Sequence, residues 1–209
     1  MGFLKSFFNQ TRRPEGVLGR FMLTTMNPGH AKLADWGLGY VAALSPRRIA
    51  ELGCGGGRNI AALLSLYPAA AVDGVDYSAL SVEKTRKTNR AAIEAGRCTV
   101  REGDVSALDL PAGAYDLSTA FETVYFWPGI ENCFARVYQI LRPGGAFLIV
   151  NESDGTDNTG ERFEGIIEGM KVYTADELER ALKAAGFGSV AVFHHPKKPW
   201  IAVKAVREE

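Results

Sequence analysis

The amino-acid sequence predicts an α/β protein with a mainly parallel sheet, helices on both faces and an antiparallel β-hairpin at its end. From residue 45 onward, apolar segments of strand length alternate with segments of helical length. This order is typical of βαβ units and a parallel sheet. The last two apolar segments are separated only by a short turn at residues 196–199. Strands joined that closely can pair only in antiparallel fashion.

Apolar patterning and turn residues place the individual elements. The predicted strands cover residues 47–54, 71–77, 98–104, 115–122, 146–152, 189–195 and 200–206. The predicted helices cover residues 58–67, 78–95, 130–141 and 174–185. The last helix opens with a capping box formed by Thr174 and Glu177. Residues 143–145, Pro-Gly-Gly, are predicted to end the third helix before the next strand begins.

Two segments lie outside this alternation, residues 1–45 and about 153–173. We expect both to cap the carboxyl edge of the sheet, where open α/β sheets bind ligands. Residues 1–45 are predicted to form a helical cap or lid, and residues 46–209 a catalytic domain. No linker divides the chain, so the two parts are expected to form a single domain.

Composition excludes several classes of protein. The 24 basic and 24 acidic residues give no net charge, which argues against a nucleic-acid partner held by bulk electrostatics. Three widely spaced cysteines predict reduced thiols rather than a disulfide framework or a metal site. No apolar run reaches the roughly 18 residues of a membrane span. We therefore expect a cytoplasmic monomer or homodimer without a bound metal.

The most informative segment is the sequence ELGCGGG at residues 51–57, between the first strand and the first helix. Glycines there let a ligand approach the backbone, and the helix start offers free N–H groups. A tight turn without a ligand would account for the glycines equally well.

Acidic residues at the next two strand ends favour a nucleoside ligand. Asp76, followed by Tyr77, ends the second strand, where a carboxylate can accept both ribose hydroxyl protons. Asp104 ends the third strand and can accept from an adenine amino group, while the Val105 N–H faces a ring nitrogen. Either aspartate alone could be a helix cap. Three suitable strand ends in succession are harder to explain by capping.

At this point the chain resembles the class I S-adenosylmethionine-dependent methyltransferases of the small type 11 kind. The resemblance spans about residues 47–206 and is carried by the segment at residues 51–57, by Asp76, by Gly103 and Asp104, and by LRPGG at residues 141–145. It implies a Rossmann-like seven-stranded sheet with the last strand inserted antiparallel, and S-adenosylmethionine as cofactor.

The resemblance also implies which residues bind the cofactor. They are Glu51, Gly53, Gly55, Gly57, Asp76, Tyr77, Asp104, Val105 and Phe121. The glycines would line the methionine part, Asp76 the ribose, Asp104 with Val105 the adenine, and Phe121 the amino and sulfonium end. A nicotinamide dehydrogenase is the rival interpretation, but Arg58 stands where the third glycine of G-x-G-x-x-G belongs. The terminal hairpin also leaves no room for a second mononucleotide half.

The resemblance places the loop after the fourth strand, FETVYFW at residues 121–127, opposite the donor methyl group. Phe126 and Trp127 are candidate substrate contacts, because aromatic rings can stack on a flat acceptor. A base is needed only if the acceptor loses a proton as it reacts. The candidate catalytic residues are His30, Glu122 and Tyr125. Ordinary packing of the aromatic run and a structural role for His30 remain open.

A small molecule is the predicted methyl acceptor. The Asn/Asp-Pro-Pro-aromatic run of amino-methylating nucleic-acid enzymes does not follow the fourth strand, and the chain contains no Pro-Cys pair of the cytosine-C5 enzymes. Two alternatives stay open. One is an RNA or protein acceptor bound by the basic residues Lys5, Arg12, Arg13 and Arg20. The other is a protein of the same fold that binds S-adenosylmethionine without catalysis.

Overall fold

The predicted alternation of strands and helices is present in the structure, a computed structural model that describes residues 30–156 and 164–208. The strands are β1 Arg48–Leu52, β2 Ala71–Asp76, β3 Cys98–Glu102, β4 Tyr115–Phe121, β5 Leu141–Asn151, β6 Ser189–His194 and β7 Ile201–Val206. The helices are α1 at residues 30–38, α2 Arg58–Leu66, α3 Ala79–Thr88, α4 Arg90–Glu94, α5 Ile130–Ile140 and α6 Ala175–Ala184. One-turn 3₁₀ helices cover Val105–Ala107 and Val124–Phe126.

The strands form one seven-stranded sheet in the order β3-β2-β1-β4-β5-β7-β6. Strands β1 to β5 pair in parallel, whereas β7 lies between β5 and β6 and pairs with both in antiparallel fashion. The predicted fold class and the antiparallel terminal hairpin are therefore confirmed. The strand order reverses at β1, whose neighbours are β2 and β4, and ligands of such sheets bind at this point.

Helices cover both faces of the sheet, as the burial of its central strands on both sides requires. Alternate residues of β5 divide between two cores. Phe147 packs with Phe134 of α5 and Leu182 of α6, whereas Leu148 belongs to the core formed with Leu33 of α1 and Ile60 of α2. The capping box predicted for α6 is present in full. No helix in the described ranges is long and apolar enough to cross a membrane.

The long helix predicted over residues 78–95 is instead two helices, α3 and α4, which meet at Asn89. The Asn89 side chain donates hydrogen bonds to the Thr85 carbonyl at 3.1 Å and to the Gly57 carbonyl at 2.9 Å. A side-chain amide that competes for backbone carbonyls can interrupt a helix. The bond to the Gly57 carbonyl ties the end of α3 to the glycine loop, residues 53–57.

The turn predicted at residues 143–145 is also different. Helix α5 ends at Ile140, and β5 begins directly at Leu141, so the Pro-Gly-Gly segment lies inside a strand. The pairing of β4 with β5 shifts register between Tyr115 and Leu117, and this irregularity accommodates the extra residues.

The predicted N-terminal cap can be followed only from residue 30, because residues 1–29 lie outside the described part of the chain. Helix α1 packs closely on the sheet at Gly37. A Cβ atom on Gly37 would lie 2.3 Å from Val150 Cγ2 of β5. Residue 37 must therefore lack a side chain for α1 to take this position. In the second predicted cap segment, the Lys171 N–H donates to the Tyr125 carbonyl at 2.9 Å.

We expect Gly37→Ala to lower the free energy of unfolding by about 1–3 kcal/mol, because the added methyl group overlaps Val150 in a packed core. Chemical denaturation measures this change. Lys32→Ala, at an exposed position of the same helix, is the control and should change stability little. Equal stability of the Gly37→Ala variant and the parent would contradict the packing of α1 described here.

Candidate active site

A cavity of about 240 Å³ lies at the carboxyl end of the sheet, beside the point where strand order reverses. Residues at the ends of β1, β2, β3 and β4 form its floor, and α1 forms one wall. The predicted site residues that line it are His30, Gly53, Gly55, Asp76, Tyr77, Asp104, Val105, Phe121, Glu122, Phe126 and Trp127. The predicted site residues Glu51, Gly57 and Tyr125 do not line it.

The glycine loop is held between the end of β2 and the loop that follows β4. The Gly53 N–H donates to the Val75 carbonyl at 2.8 Å. Gly53 has φ 82°, and a Cβ atom there would lie 2.3 Å from Thr123 Cγ2. Both the backbone conformation and the approach of Thr123 therefore require glycine at residue 53. The loop presents its backbone to the cavity as a result.

Asp76 is a buried carboxylate whose two oxygens already bind backbone N–H groups. Oδ2 accepts from Gly55 N at 2.8 Å, and Oδ1 accepts from Ser78 N at 2.9 Å. Burial raises the pKa of Asp76, although both backbone hydrogen bonds oppose the rise. Each carboxylate oxygen has a second lone pair, so Asp76 can accept further hydrogen bonds from a diol in the cavity.

Asp104 is indeed a helix cap, as one of the two sequence interpretations allowed. Its Oδ1 accepts from Ser106 N at 2.8 Å and from Ser106 Oγ at 2.7 Å, at the start of the Val105–Ala107 turn. Asp104 and Val105 nevertheless both line the cavity. Capping and ligand binding are therefore compatible, because both capping bonds use the same carboxylate oxygen.

Glu51 lies behind the cavity wall rather than in it. Its side chain is fully buried in β1, where Oε2 accepts a hydrogen bond from the Thr119 hydroxyl. Oε1 has no hydrogen-bond partner among the described residues. Burial raises the pKa of Glu51 to about 8, while the nearby Asn59 amide lowers it. Asn59 lines the cavity, so the buried acid lies one side chain away from a ligand.

Gly57 is required by packing and does not itself line the cavity. Its φ is 83°, and a Cβ atom there would lie 2.6 Å from Asn89 Nδ2 and 2.9 Å from Thr85 Cα. The glycine therefore lets the start of α2 approach α3. Gly57 is predicted to contact the methionine part of a cofactor, but it is not one of the residues that line the cavity.

The loop after β4 begins with a residue in an uncommon conformation. Glu122 has φ 60° and is the only non-glycine residue with a positive φ in the described ranges. Its Oε1 accepts from the Glu152 N–H and, at 3.3 Å, from the Tyr125 hydroxyl. Burial raises the pKa of Glu122 to about 8, and the Glu152 carboxylate adds to the rise. Glu122 therefore holds a proton at neutral pH.

The Tyr125 side chain forms a hydrogen bond with the Glu122 carboxyl group. The Tyr125 hydroxyl accepts from Ser153 N at 3.1 Å while donating to Glu122, and only 4% of the residue is exposed. Burial raises the pKa of Tyr125 well above its ordinary value. The hydroxyl has a hydrogen-bond partner on both sides and Tyr125 does not line the cavity, so this position does not support the predicted catalytic role.

His30 faces a carboxylate that the sequence did not identify. His30 Nε2 lies 3.7 Å from Oε2 of Glu152, the residue that follows β5. Side-chain atoms of His30, Glu122 and Glu152 all lie within 4.8 Å of one another. Within the described ranges, only these three residues could jointly ligate a metal ion. The only pattern that could have indicated Glu152 is its position at a strand end on the edge that carries the site.

The aromatic run divides between cavity and core. Phe121, Phe126 and Trp127 all line the cavity. The Trp127 ring also stacks on Phe147 with centroids 6.2 Å apart, so most of it belongs to the hydrophobic core. Phe126 is the more exposed of the two predicted substrate contacts. Packing and ligand contact, which the sequence left as alternatives, therefore both apply.

Sequence reasoning missed several cavity-lining side chains. These are Leu33, Ala34, Cys54, Arg58, Asn59, Ser81, Thr123 and Pro128. Arg58 and Asn59 directly follow the glycine loop at the start of α2, so their position next to the loop could have identified them. Leu33 and Ala34 come from α1, whose packing on the sheet is a long-range feature.

The sheet order, the glycine loop and the strand-end acids together define a class I methyltransferase fold. Residues 49–145 match the model of the family described as "Methyltransferase domain". The malonyl-[acyl-carrier protein] O-methyltransferase of Geobacter sulfurreducens is 26% identical over 77% of this chain and 65% of its own length. The O-methyltransferase cnsE of Penicillium expansum is 32% identical over 71% of this chain and 56% of its own length.

A solved structure shares the fold. The phosphoethanolamine N-methyltransferase 2 of Haemonchus contortus, in complex with S-adenosylmethionine, superposes with a TM-score of 0.71 at 16% identity, covering 84% of this chain and 53% of that one. The chain belongs to the class I S-adenosylmethionine-dependent methyltransferases. It spans less than two thirds of the length of either curated relative described above.

The residues present fit S-adenosylmethionine, the cofactor of this family. A glycine-lined backbone, a buried aspartate with free lone pairs and an unpartnered buried oxygen on Glu51 lie in or next to one cavity. An amino acid and a ribose both need such hydrogen-bonding groups. Gly53, Gly55 and Asp76 would hold the cofactor, with Asp104 and Val105 at its adenine end.

We expect Asp76→Ala to weaken binding of S-adenosylhomocysteine by about ten- to a hundred-fold, because charge-assisted hydrogen bonds to the ribose are lost. Isothermal titration calorimetry measures this affinity. Asp109→Ala, at an exposed aspartate outside the cavity, is the matched control. An unchanged dissociation constant for the Asp76→Ala variant would rule out the ribose assignment.

We expect Glu51→Gln to make the protein more stable than the parent at pH 8 by about 4 kcal/mol, and nearly equal to it in stability at pH 4.5 and below. The folded-state pKa of about 8 exceeds the ordinary 4.5, so Glu51 lowers the free energy of unfolding as pH rises between these values. Denaturant titrations across this range test it. Glu94→Gln, at an exposed glutamate paired with Arg90, should not change the slope. An identical pH dependence in Glu51→Gln and the parent would contradict the assignment.

Proposed function

We propose that this protein transfers a methyl group from S-adenosylmethionine to a small-molecule acceptor. One observation carries the proposal. The glycine loop and Asp76 line the same continuous cavity as His30, Glu122 and Phe126. Cofactor-binding groups and groups suited to an acceptor thus share one space, as direct transfer between two bound molecules requires.

The cofactor supplies an activated methyl group on a sulfonium centre. The chain's own task is then to position the acceptor and to exclude water. Leu33 of α1 and the rings of Phe126 and Trp127 give the cavity apolar walls. These walls suit an acceptor with an apolar or flat surface, and they support a small molecule over an extended polymer.

We assign the role of general base to His30. Its Nε2 atom faces the Glu152 carboxylate at 3.7 Å, and a carboxylate stabilises an imidazole that gains a proton. Glu122 is the other predicted base, but it already holds a proton at neutral pH. Glu122 is therefore suited to donate a hydrogen bond to the acceptor rather than to accept its proton.

The acceptor that suits this arrangement carries a removable proton on oxygen or nitrogen. Methyl transfer to such a group is aided by a base that accepts the proton as the new bond forms. The names of the two curated relatives describe O-methyltransferases, which supports a hydroxyl acceptor. A carboxyl acceptor is already ionised at neutral pH and would need positioning rather than a base. Because basic and acidic residues balance in this chain, a nucleic-acid acceptor is the weaker alternative.

Turnover with S-adenosylmethionine carrying an isotope-labelled methyl group tests the proposal. The protein is incubated with a panel of small hydroxyl, carboxyl and amine compounds, and mass spectrometry detects the labelled product and S-adenosylhomocysteine. Label transfer to at least one compound is the expected result. Binding of S-adenosylhomocysteine without transfer to any small acceptor would favour a protein that binds the cofactor without catalysis.

We expect His30→Ala to lower turnover by about 10²- to 10⁴-fold, because the base is lost, while binding of S-adenosylhomocysteine changes little. His194→Ala is the matched control, since His194 lies outside the cavity and pairs with Asp154. Steady-state kinetics on an acceptor found in the panel measures both variants. Near-full activity of the His30→Ala variant would remove His30 from the mechanism.

The pH profile distinguishes the two candidate bases. With His30 as the base, turnover should not rise through pH 8, because the Glu122 carboxyl takes no proton from the acceptor. With Glu122 as the base, turnover would rise through about pH 8 as the carboxyl loses its proton. We expect the first profile, and we expect Glu122→Gln to keep most of the activity because glutamine can still donate a hydrogen bond.

A further inference from the structure

The methionine end of the cofactor carries a carboxylate that needs a positively charged or N–H-rich partner. Three side-chain carboxyl groups line the cavity, those of Asp76, Asp104 and Glu122. Arg58 is the only lysine or arginine among the described residues that line it. A carboxylate that enters this cavity therefore finds one permanent cation in the described part of the chain.

Arg58 is placed where a methionine carboxylate would be expected. It is the first residue of α2 and directly follows the glycine loop, which the family resemblance assigns to the methionine part of the cofactor. The start of a helix also carries partial positive charge and unpaired N–H groups. Backbone and side chain therefore favour an anion at the same point.

The guanidinium group is oriented by neighbours and still has donors to offer. One nitrogen donates to Asn59 Oδ1 at 3.3 Å, and the other terminal nitrogen donates to the Asp35 carboxylate of α1. An arginine has five N–H donors, so these two bonds leave several for a ligand. The side chain is 28% exposed, which fits a group at the rim of the cavity.

The surroundings leave the positive charge of Arg58 poorly neutralised. Among the described residues, Arg58 forms an ion pair with Asp35, and 59% of the Asp35 side chain is exposed to solvent, which screens the pair. Asn59 accepts a hydrogen bond from Arg58 through a neutral amide oxygen, which does not neutralise the charge.

We propose that Arg58 binds the carboxylate of S-adenosylmethionine and of S-adenosylhomocysteine. The proposal rests on the proposed function in that it takes S-adenosylmethionine as the cofactor. Because the same guanidinium group binds Asp35, it joins the methionine end of the site to α1, the helix that also carries His30. Arg58 stands where a dehydrogenase motif would have glycine, and its guanidinium group binds the carboxylate of the cofactor.

Calorimetric titration with two ligands tests the proposal without any measurement of turnover. The ligands are S-adenosylhomocysteine and its decarboxylated analogue, which keeps the amine and lacks only the carboxylate. In the parent protein, loss of the carboxylate should weaken binding by about ten- to a hundred-fold. In Arg58→Met, S-adenosylhomocysteine should lose a similar factor, and the analogue should bind as it does to the parent.

Two further variants separate recognition from folding. Arg58→Lys keeps the charge without the paired donors, so it should retain part of the preference for the carboxylate. Arg90→Met removes an exposed arginine paired with Glu94, and it should leave both affinities unchanged.

Two results would overturn the proposal. One is equal affinity of the parent for both ligands, which needs no variant and is therefore decisive even if Arg58→Met does not fold. The other is an equal loss of both ligands in Arg58→Met, which would indicate a structural role. Absence of turnover with every acceptor would count against the proposed function alone, because these titrations measure binding only.

Discussion

The hydrogen bond from the Gly55 N–H to the buried Asp76 carboxylate, 2.8 Å long, fixes the geometry on which the cavity depends. It joins the glycine loop after β1 to the end of β2, across the point where strand order reverses. On the opposite side, Thr123 packs against Gly53 so closely that no side chain fits there. The loop is thus held from both flanking strands, and its backbone and the helix that follows are presented to a ligand.

Two buried glutamates in or next to the cavity lower the stability of the folded protein. Burial raises the pKa of Glu51 and of Glu122 to about 8, so both are neutral acids at physiological pH. Such groups destabilise the folded state above their ordinary pKa, because the unfolded chain releases their protons more readily. Glu122 also adopts a backbone conformation that few side chains tolerate. Strain and desolvation concentrate where a functional site is expected.

Most of the fold could be predicted because its determinants are local. Strand and helix periodicity, the glycine loop and the acid at the end of β2 each follow from a few neighbouring residues. The remaining features depend on contacts between distant segments. Asn89 interrupts a helix because its side chain reaches Gly57, and Glu152 meets His30 only because the end of β5 lies beside α1. The sequence predicts a catalytic role for Tyr125, but packing directs its hydroxyl toward Glu122.

A crystal structure of the protein with S-adenosylhomocysteine tests the central claim most directly. The account predicts ligand density in the cavity at the carboxyl ends of β1 to β4. The ribose should lie within hydrogen-bond distance of Asp76, and the carboxylate within hydrogen-bond distance of Arg58. The side that holds His30 and Phe126 should remain open for an acceptor. Density elsewhere on the protein, or a ribose that makes no contact with Asp76, would contradict the account.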